Sequence, residues 1–350
     1  MICEKCLLSD AIPGVQINSK GICNCCQEKN VQILEKKILS EQDLIVQLKS
    51  YLEKANRGKY DVLIPVSGGV DSSIALMTIV EKMGLKVLAY HNDHGYEEKI
   101  ATENVKKICK GLGVDLVIVQ QDLNFMKKLW KYVATSDEKI SGCYVCGNIL
   151  YLNSLQIAHD FNIPVLVNGY SKGQAAMTRD KGQGLANLEK ILEIIGDGYD
   201  KVFQKEVLEK YSYLKYKKDY DPYGVLSYEI DKILVIPFFV FDFYHTEKEK
   251  SKKLLQQRFC WEEIPYSYPK RTTNCKMAWL NSYIDLQKMG YTMYHQEYSE
   301  LIRCGEITRE QAMKDLEFSP PENLIEDLAH DLDINLNLYN NVDNWFSFSV

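Results

Sequence analysis

An apolar stretch, Val62–Val66, runs straight into Ser67-Gly68-Gly69-Val70-Asp71-Ser72-Ser73. A strand, a glycine-turned loop and a helix start make a grip for a nucleotide's pyrophosphate. The glycines let backbone amides approach phosphate oxygens, and the helix N-terminus adds partial positive charge. Ser67, Ser72 and Ser73 carry hydroxyl donors. Asp71 is out of place beside phosphate unless it caps the helix or holds Mg²⁺ bound to a triphosphate. The competing reading is a tight turn using glycine and serine for geometry alone, which the full string in this context disfavours. A second group lies downstream: Cys143 and Cys146, two residues apart, and the distant Cys275. Three soft side chains of this kind can hold an iron–sulfur cluster. Three other readings stay open: a redox or persulfide-relay pair, a second zinc knuckle completed by Cys260, or buried thiols.

The N-terminus carries a different cysteine pattern. Cys3-x-x-Cys6 and Cys23-x-Cys25-Cys26, with sixteen residues between the pairs, have the spacing of a zinc ribbon. Cys26 keeps the two-residue gap with Cys23, so Cys3, Cys6, Cys23 and Cys26 are the expected Zn²⁺ ligands and Cys25 is spare. A closed four-sulfur site has no open position for chemistry, so its role would be structural or substrate-docking. Free buried thiols are the alternative.

These groups need a scaffold, and 350 residues suffice for one large α/β domain with attachments. The expected division is a ribbon over 1–29, a linker helix over 30–58, a nucleotide domain over 59–245 and a mainly helical region over 246–350. In the linker, Ser40 and Asp43 suggest a capping box, Ile45, Leu48 and Leu52 share one face, and Gly58 ends the helix. From Tyr60 the pattern alternates. Strands are expected at Val62–Val66, Lys86–Tyr90, Leu116–Val119 and Pro164–Val167, with helices at Ser72–Met83, Ile100–Leu112 and Ile149–Asp160. Such alternation predicts a parallel sheet with helices on both faces, which binds ligands beyond the carboxyl ends of its strands. Residues beyond 185 read as mainly helical, and Ile233–Val240 as either a strand or a buried helix turn. Tyr291–Glu317 reads as a helical hairpin broken at Gly305, with Thr308 and Gln311 forming a capping box. The tail after Ser319 is acidic and lacks Lys and Arg, which predicts partial disorder or packing on a partner.

Composition narrows the partners. No apolar run approaches the ~18 residues of a membrane span, and MICEKCLLSD lacks the features of a secretory signal, so a cytoplasmic location is expected. Eleven cysteines there suit metal ligands or catalytic thiols better than disulfides. The net charge of −6 favours a small molecule over tRNA, since RNA affinity rests on cationic surface. Lysines 127, 128 and 131, and 215, 217 and 218, read first as solvated surface.

The string from Ser67 to Ser73 resembles the signature of the PP-loop ATP pyrophosphatases, with a Rossmann-like fold. That resemblance implies cleavage of ATP between its α and β phosphates and adenylation of a carbonyl or amide oxygen. Ammonia or sulfur would then displace AMP. It also implies that Ser67, Gly68, Gly69, Asp71, Ser72 and Ser73 hold pyrophosphate and magnesium, with Val66 leading in. His91-Asn92-Asp93-His94-Gly95 falls where the family contacts adenosine, chiefly through His91 and Asp93. Asn168-Gly169-Tyr170 matches its later nucleotide-proximal loop. The ordinary reading of His91 or His94 is a loop histidine.

Both ends resemble a narrower group, the N-acetyl sugar amidotransferases of surface-polysaccharide biosynthesis. Gly21-Ile22-Cys23-Asn24-Cys25-Cys26 fits its knuckle, and Ile302-Arg303-Cys304-Gly305-Glu306-Ile307-Thr308-Arg309-Glu310-Gln311-Ala312 fits its C-terminal pattern. The departure lies at Ser141–Gly147. There Cys143 and Cys146, with Cys275 in Arg271-Thr272-Thr273-Asn274-Cys275-Lys276, look like the iron–sulfur-dependent tRNA-thiolating members of the superfamily. The leading expectation is therefore an AMP-forming sulfur transferase. Asp71, Cys143, Cys146 and Cys275 would be catalytic, and ATP, Mg²⁺, Zn²⁺ and a 4Fe–4S cluster or persulfide would take part. Its substrate would be a nucleobase or sugar and its partner a sulfur donor; a homodimer is compatible. The alternative is an N-acetyl sugar amidotransferase fed with ammonia by a partner glutaminase.

Overall fold

The computed structural model describes residues 1–27, 41–55, 57–137, 139–169, 205, 217–218, 228–230, 232–237, 248–270 and 274–339. Its strands are β1 (Val62–Pro65), β2 (Val87–Asp93), β3 (Asp115–Gln120), β4 (Val165–Asn168), β5 (Lys217–Lys218), β6 (Tyr228–Ile230) and β7 (Ile233–Pro237). They form one sheet in the order β3-β2-β1-β4-β7-β6-β5. The first five in that order are parallel, and β6 and β5 continue the sheet antiparallel. The stretch left open between strand and helix is β7, paired with β4 from Val165↔Leu234 to Asn168↔Pro237. The region expected to be mainly helical thus contributes three strands; residues 170–204 lie outside the described residues.

The sheet is covered on both faces, and the strand residues divide by parity. Val62, Ile64, Val87, Ala89, Val165 and Val167 face a layer containing α2 (Glu41–Lys54), α3 (Val70–Glu81), α4 (Lys99–Leu112) and α7 (Lys248–Phe259). Leu63, Leu88, Tyr90, Leu166 and Val235 face α6 (Gly142–Asp160) through Tyr151, Leu155 and Ala158. Burial on both sides is why β1 and β4 read as continuous apolar runs. The edge strand β3 shows partial and exposed positions instead.

Local signals explain the helix limits. Gly113 takes φ 66 and closes α4, as expected of glycine after a last helical turn. The linker helix stops at Lys54, four residues before Gly58. Gly58 instead donates its amide to the Asn162 carbonyl at 2.8 Å, where a Cβ would lie 2.6 Å from the Phe161 oxygen. Ser40 lies outside the described residues. A short helix, α1 (Asn24–Gln27), closes the N-terminal knuckle. The helix α5 (Leu123–Thr135), not expected from sequence, is capped by Asp122, which accepts from the amides of Asn124 and Phe125.

A separate core joins α5 to the C-terminal elements α8 (Met277–Met289), α9 (Met293–Arg303), α10 (Arg309–Asp315) and α11 (Leu324–Asp331). Trp130 is buried at its centre with Met126, Leu129, Leu280 and Ile284. The helical hairpin is present. Thr308 accepts from the Gln311 amide, while the Gln311 side chain turns to Asp315 at 2.7 Å, so the box is half made. The acidic tail, expected to be partly disordered or to seek a partner, packs on its own chain through Ile325, Leu328 and Leu332 as far as Tyr339. Its acids meet the α5 lysines: Lys127 pairs with Asp331 at 2.7 Å, and Lys131 pairs with Asp333. Among the described residues, no helix is long and apolar enough to cross a membrane.

Candidate active site

The order of the parallel strands puts a switch point beside β1, because β2 and β4 flank it and the chain leaves it in both directions. The loop after β1 lies there. Gly68 has φ 80, and a Cβ on it would stand 2.2 Å from the Ala101 carbonyl oxygen. Only glycine lets the loop lie this close to the first turn of α4. Gly69 is the N-cap of α3 and provides no side-chain cap, so that helix start keeps its donors for another partner. The serines shape the loop. Ser72 Oγ accepts from the Ser67 amide at 3.1 Å, and Ser73 Oγ donates to the Gly69 carbonyl at 2.6 Å. Asp71 sits in the first turn of α3. Gly169, after β4, brings the facing strand end against this turn: its Cβ would lie 3.3 Å from Ser72 Cα.

The loop is braced from behind by residues that its motif does not contain. Trp261 Nε1 donates to the Gly68 carbonyl at 2.8 Å, and Asn104 Nδ2 donates to the same oxygen at 3.3 Å. Asn274 Nδ2 donates to the Ser67 carbonyl at 2.5 Å. In a trans peptide the carbonyl and the next amide point opposite ways, so holding these oxygens aims the amides of Gly68 and Gly69 away from the brace. Asn104 also exchanges two hydrogen bonds with the backbone of Glu262, at 2.8 and 2.9 Å. Trp261→Phe keeps an aromatic side chain but loses the indole N–H, one of two donors on the Gly68 carbonyl. Such a loss costs about 1–2 kcal/mol, so ATP should bind about tenfold more weakly with little change in melting temperature. Calorimetric titration with ATP checks this.

His91 and Asp93 end β2 beside the loop. His91 is buried, with Nδ1 2.9 Å from the Val66 carbonyl and Nε2 3.1 Å from Thr102 Oγ1 and 3.0 Å from Glu97 Oε2. Burial pulls its pKa down, but Glu97 and the Val66 carbonyl outweigh that and raise it above the ordinary value. Asp93 Oδ1 accepts from the Gly95 amide at 2.9 Å. Val66 is buried and donates to the Tyr90 carbonyl.

The late cysteines occupy one neighbourhood. The helix α6 starts at Gly142, earlier than expected, with Ser141 as its cap accepting from the Cys143 amide. Cys143 and Cys146 therefore stand one turn apart on one helix face. Gly142 has no room for a side chain, because a Cβ would meet Asn281 Oδ1 at 2.3 Å. Asn281 Nδ2 in turn lies 3.4 Å from Cys143 Sγ, and Tyr294 Oη lies 3.9 Å from it. Cys275 precedes α8 and pairs through its backbone with Glu97; Arg271–Thr273 lie outside the described residues. Burial pushes Cys143 up to about 11, with Asp285 adding to it. Cys146 and Cys275 are raised further, by burial first and then by neighbouring thiolates and Glu97.

At the N-terminus, Cys3, Cys6, Cys23 and Cys26 bring their sulfurs within 4.8 Å of one another, the one such group of metal-capable side chains among the described residues. Cys6 and Cys23 Sγ are 3.7 Å apart. A tetrahedron with Zn–S bonds of about 2.3 Å has edges of about 3.8 Å, so the donors fit that ion. The amides of Cys23 and Leu8 donate to Cys3 and Cys6 sulfurs at 3.2 and 3.5 Å, and Arg303 Nη1 lies 3.6 Å from Cys6 Sγ. The Cys6 thiol is lowered to about 4, chiefly by its hydrogen bond with Cys26. The module docks on α9 and α10: Leu7 donates its amide to Ser299 Oγ at 3.0 Å, and Arg309 Nε donates to the Cys6 carbonyl at 3.3 Å.

Comparisons with known proteins match separate stretches of the chain. Residues 61–144 match the family model of the queuosine biosynthesis protein QueC, and residues 261–345 match that of the C-terminal domain of WbpG-like LPS biosynthesis proteins. An uncharacterized protein of Methanocaldococcus jannaschii, MJ1599, is 26% identical over 284 residues, covering 79% of this chain and 80% of that one. The glutamine-hydrolyzing GMP synthase of Thermus thermophilus is 40% identical over 92 residues, 26% of this chain and 18% of the synthase. The NMN synthetase structure from Francisella tularensis aligns over 84% of this chain and 96% of its own, with 10% identity and a TM-score of 0.39. With the loop, the sheet order and these sequence matches together, the chain is a member of the PP-loop ATP pyrophosphatase superfamily.

Proposed function

We propose that this protein adenylates the amide oxygen of an acetamido sugar with ATP and replaces that oxygen with nitrogen. The observation that carries the reading is where the C-terminal segment meets the nucleotide loop. The stretch matched by the LPS biosynthesis domain supplies Trp261 and Asn274, the donors on the Gly68 and Ser67 carbonyls. A segment akin to sugar-polymer enzymes and a loop suited to ATP thus form one wall. The similarity to glutamine-hydrolyzing GMP synthases supports nitrogen as the incoming atom.

In this reading the amide oxygen attacks the α-phosphorus, the bond to the bridging oxygen breaks, and pyrophosphate leaves into the loop. The amides after Ser67 and Gly68, aimed by the brace, take up its charge. Ammonia then adds to the adenylated carbon, the carbon–oxygen bond breaks, AMP leaves with the oxygen, and solvent takes the surplus proton. Asp71 would hold Mg²⁺, which when bound draws charge from the triphosphate. Asp71→Asn should lower pyrophosphate release about a hundredfold or more while the melting temperature stays put. Release at the normal rate would remove Asp71 from the machinery.

Sulfur as the incoming atom is favoured by one observation, three half-buried cysteines of which Cys275 follows directly on the Asn274 that holds the loop. The two readings separate in one assay. The protein is given ATP, magnesium and a panel of acetamido sugars, with either an ammonium salt or sulfide, and AMP and product mass are measured. An NH-for-O product with ammonium supports nitrogen. An S-for-O product formed only with sulfide overturns it.

A further inference from the structure

His91 holds the carbonyl at which β1 gives way to the nucleotide loop. The ladder between β1 and β2 closes at Pro65↔Tyr90, so the Val66 carbonyl lies just past it. His91 Nδ1 stands 2.9 Å from that oxygen. A carbonyl only accepts, so Nδ1 carries a hydrogen and donates it. The other nitrogen is engaged as well: Nε2 is 3.1 Å from Thr102 Oγ1 and 3.0 Å from Glu97 Oε2. The residue is 1% exposed. His91 has the place in the chain where an adenosine contact is expected, yet neither nitrogen is left for a base or a ribose.

In the trans peptide joining Val66 to Ser67, the carbonyl and the amide point opposite ways. The Ser67 amide reaches Ser72 Oγ at 3.1 Å. That peptide is thus pinned on one side by His91 and on the other by a hydroxyl in the first turn of α3. The next two carbonyls, of Ser67 and Gly68, are the ones that Asn274, Trp261 and Asn104 hold. Three successive peptides leading into α3 therefore have their oxygens tied back. One short stretch joins the two ends of this framework. Glu97, paired by its side chain with His91, forms a backbone bridge with Cys275, and the Glu98 amide donates to the Asn274 carbonyl at 2.8 Å. The same stretch therefore sets both His91 and Asn274.

We propose that His91, held by Glu97 and Thr102, is a positioning residue for the phosphate-binding loop and makes no contact with adenosine. The inference rests on the loop taking pyrophosphate, and it holds whether nitrogen or sulfur is the incoming atom. Without the Nδ1 donor the Val66–Ser67 peptide is free to turn. Its turning displaces the Ser72 hydroxyl and loosens the start of α3, where the phosphates are gripped. The nucleoside end is untouched by this change. ATP and inorganic pyrophosphate should therefore lose affinity by the same factor.

The test titrates the full chain, in a calorimeter and with magnesium present, with ATP and with inorganic pyrophosphate. Two amides stand in for the two ring nitrogens: that of Asn lies as many bonds from Cβ as Nδ1, that of Gln as many as Nε2. His91→Gln keeps a donor for Glu97 and loses the one on Val66, so both ligands should bind about tenfold more weakly. His91→Asn keeps the Val66 donor and should restore both to within about threefold of wild type. If it does not fold because Glu97 is left without a partner, His91→Asn combined with Glu97→Gln takes its place, with the same rescue expected. ATP weakened while pyrophosphate binds as before would put His91 on the nucleoside and overturn the proposal. So would an Asn variant as weak as the Gln variant, or a Gln variant that binds like wild type. A His91→Gln chain that does not fold beside a folded Asn one makes His91 a residue of the fold, which overturns it too. Wild-type protein that binds neither ligand ends the loop reading itself, and this inference with it.

Discussion

Gly68→Ala should abolish pyrophosphate release and weaken ATP binding about a hundredfold while leaving the sheet folded. Two costs act together. The residue has φ 80, where a Cβ is strained by roughly 1–2 kcal/mol. That Cβ would also lie 2.2 Å from the Ala101 carbonyl oxygen and 2.8 Å from its carbon, both backbone atoms of α4. Neither can rotate aside, so the loop itself must lift. Lifting it draws the Gly68 carbonyl off Trp261 and Asn104, and with it the amides that the brace aims. Gly84→Ala is the matched control. It has φ 65 but nothing within 4 Å of its Cβ, so it pays strain alone and should bind ATP normally. Titration with ATP and circular dichroism of both variants decide the matter; equal affinities would show that close packing on α4 is not what shapes the loop.

The contrast between these glycines shows what a sequence discloses. That Ser67–Ser73 turns between a strand and a helix was legible, because glycine, serine and an apolar run each carry a local signal. So were the parallel strands, since burial on both faces leaves uninterrupted apolar runs. The brace was not legible. Trp261 and Asn274 reach the loop across more than half the chain, and nothing local marks either as a donor to a carbonyl. Asn104 did leave a trace, an amide on the apolar face of α4 among Ala101, Val105 and Ile108. The helix α5 left a plain one, with Phe125, Met126, Leu129, Trp130 and Val133 at helical spacing behind the capping Asp122. On the opposite side of that helix Lys127 and Lys131 pair with Asp331 and Asp333. The acidic tail misled for a related reason: its composition resembles disorder, while its partners are cations on a distant helix. Spacing singled out Cys143 and Cys146 but could not disclose that Glu97 pairs with Cys275. An antiparallel pair with Cys275 depends on register between segments far apart in the chain.

Removing the metal expected at the N-terminus should unfold residues 1–27 and lower the stability of the C-terminal helices. The module buries few apolar side chains of its own, Leu8 and Ile12 among the cysteines, and leans on Met289 and Tyr291 of the helical region. So small a core cannot hold a fold, whereas zinc bound by four thiolates supplies about 10–16 kcal/mol in comparable peptides. Without it, three buried cysteines and the half-buried Cys26 lose their common partner, and Cys23 is pushed up to about 12 by burial. Unfolding also releases the Leu7 amide from Ser299 and the Cys6 carbonyl from Arg309, and it uncovers Arg303 beside Cys6. Cys6→Ser, or a strong chelator at neutral pH, should lower the melting temperature and expose the first 27 residues to protease before any other part. About one zinc per chain should be released at the same time. Arg303→Leu should leave the four ligands in place but speed metal release to a chelator, because its guanidinium no longer neutralises the Cys6 thiolate. Protein that melts and resists protease identically with and without chelator would make the four cysteines ordinary core, and the docking on α9 would then owe nothing to metal.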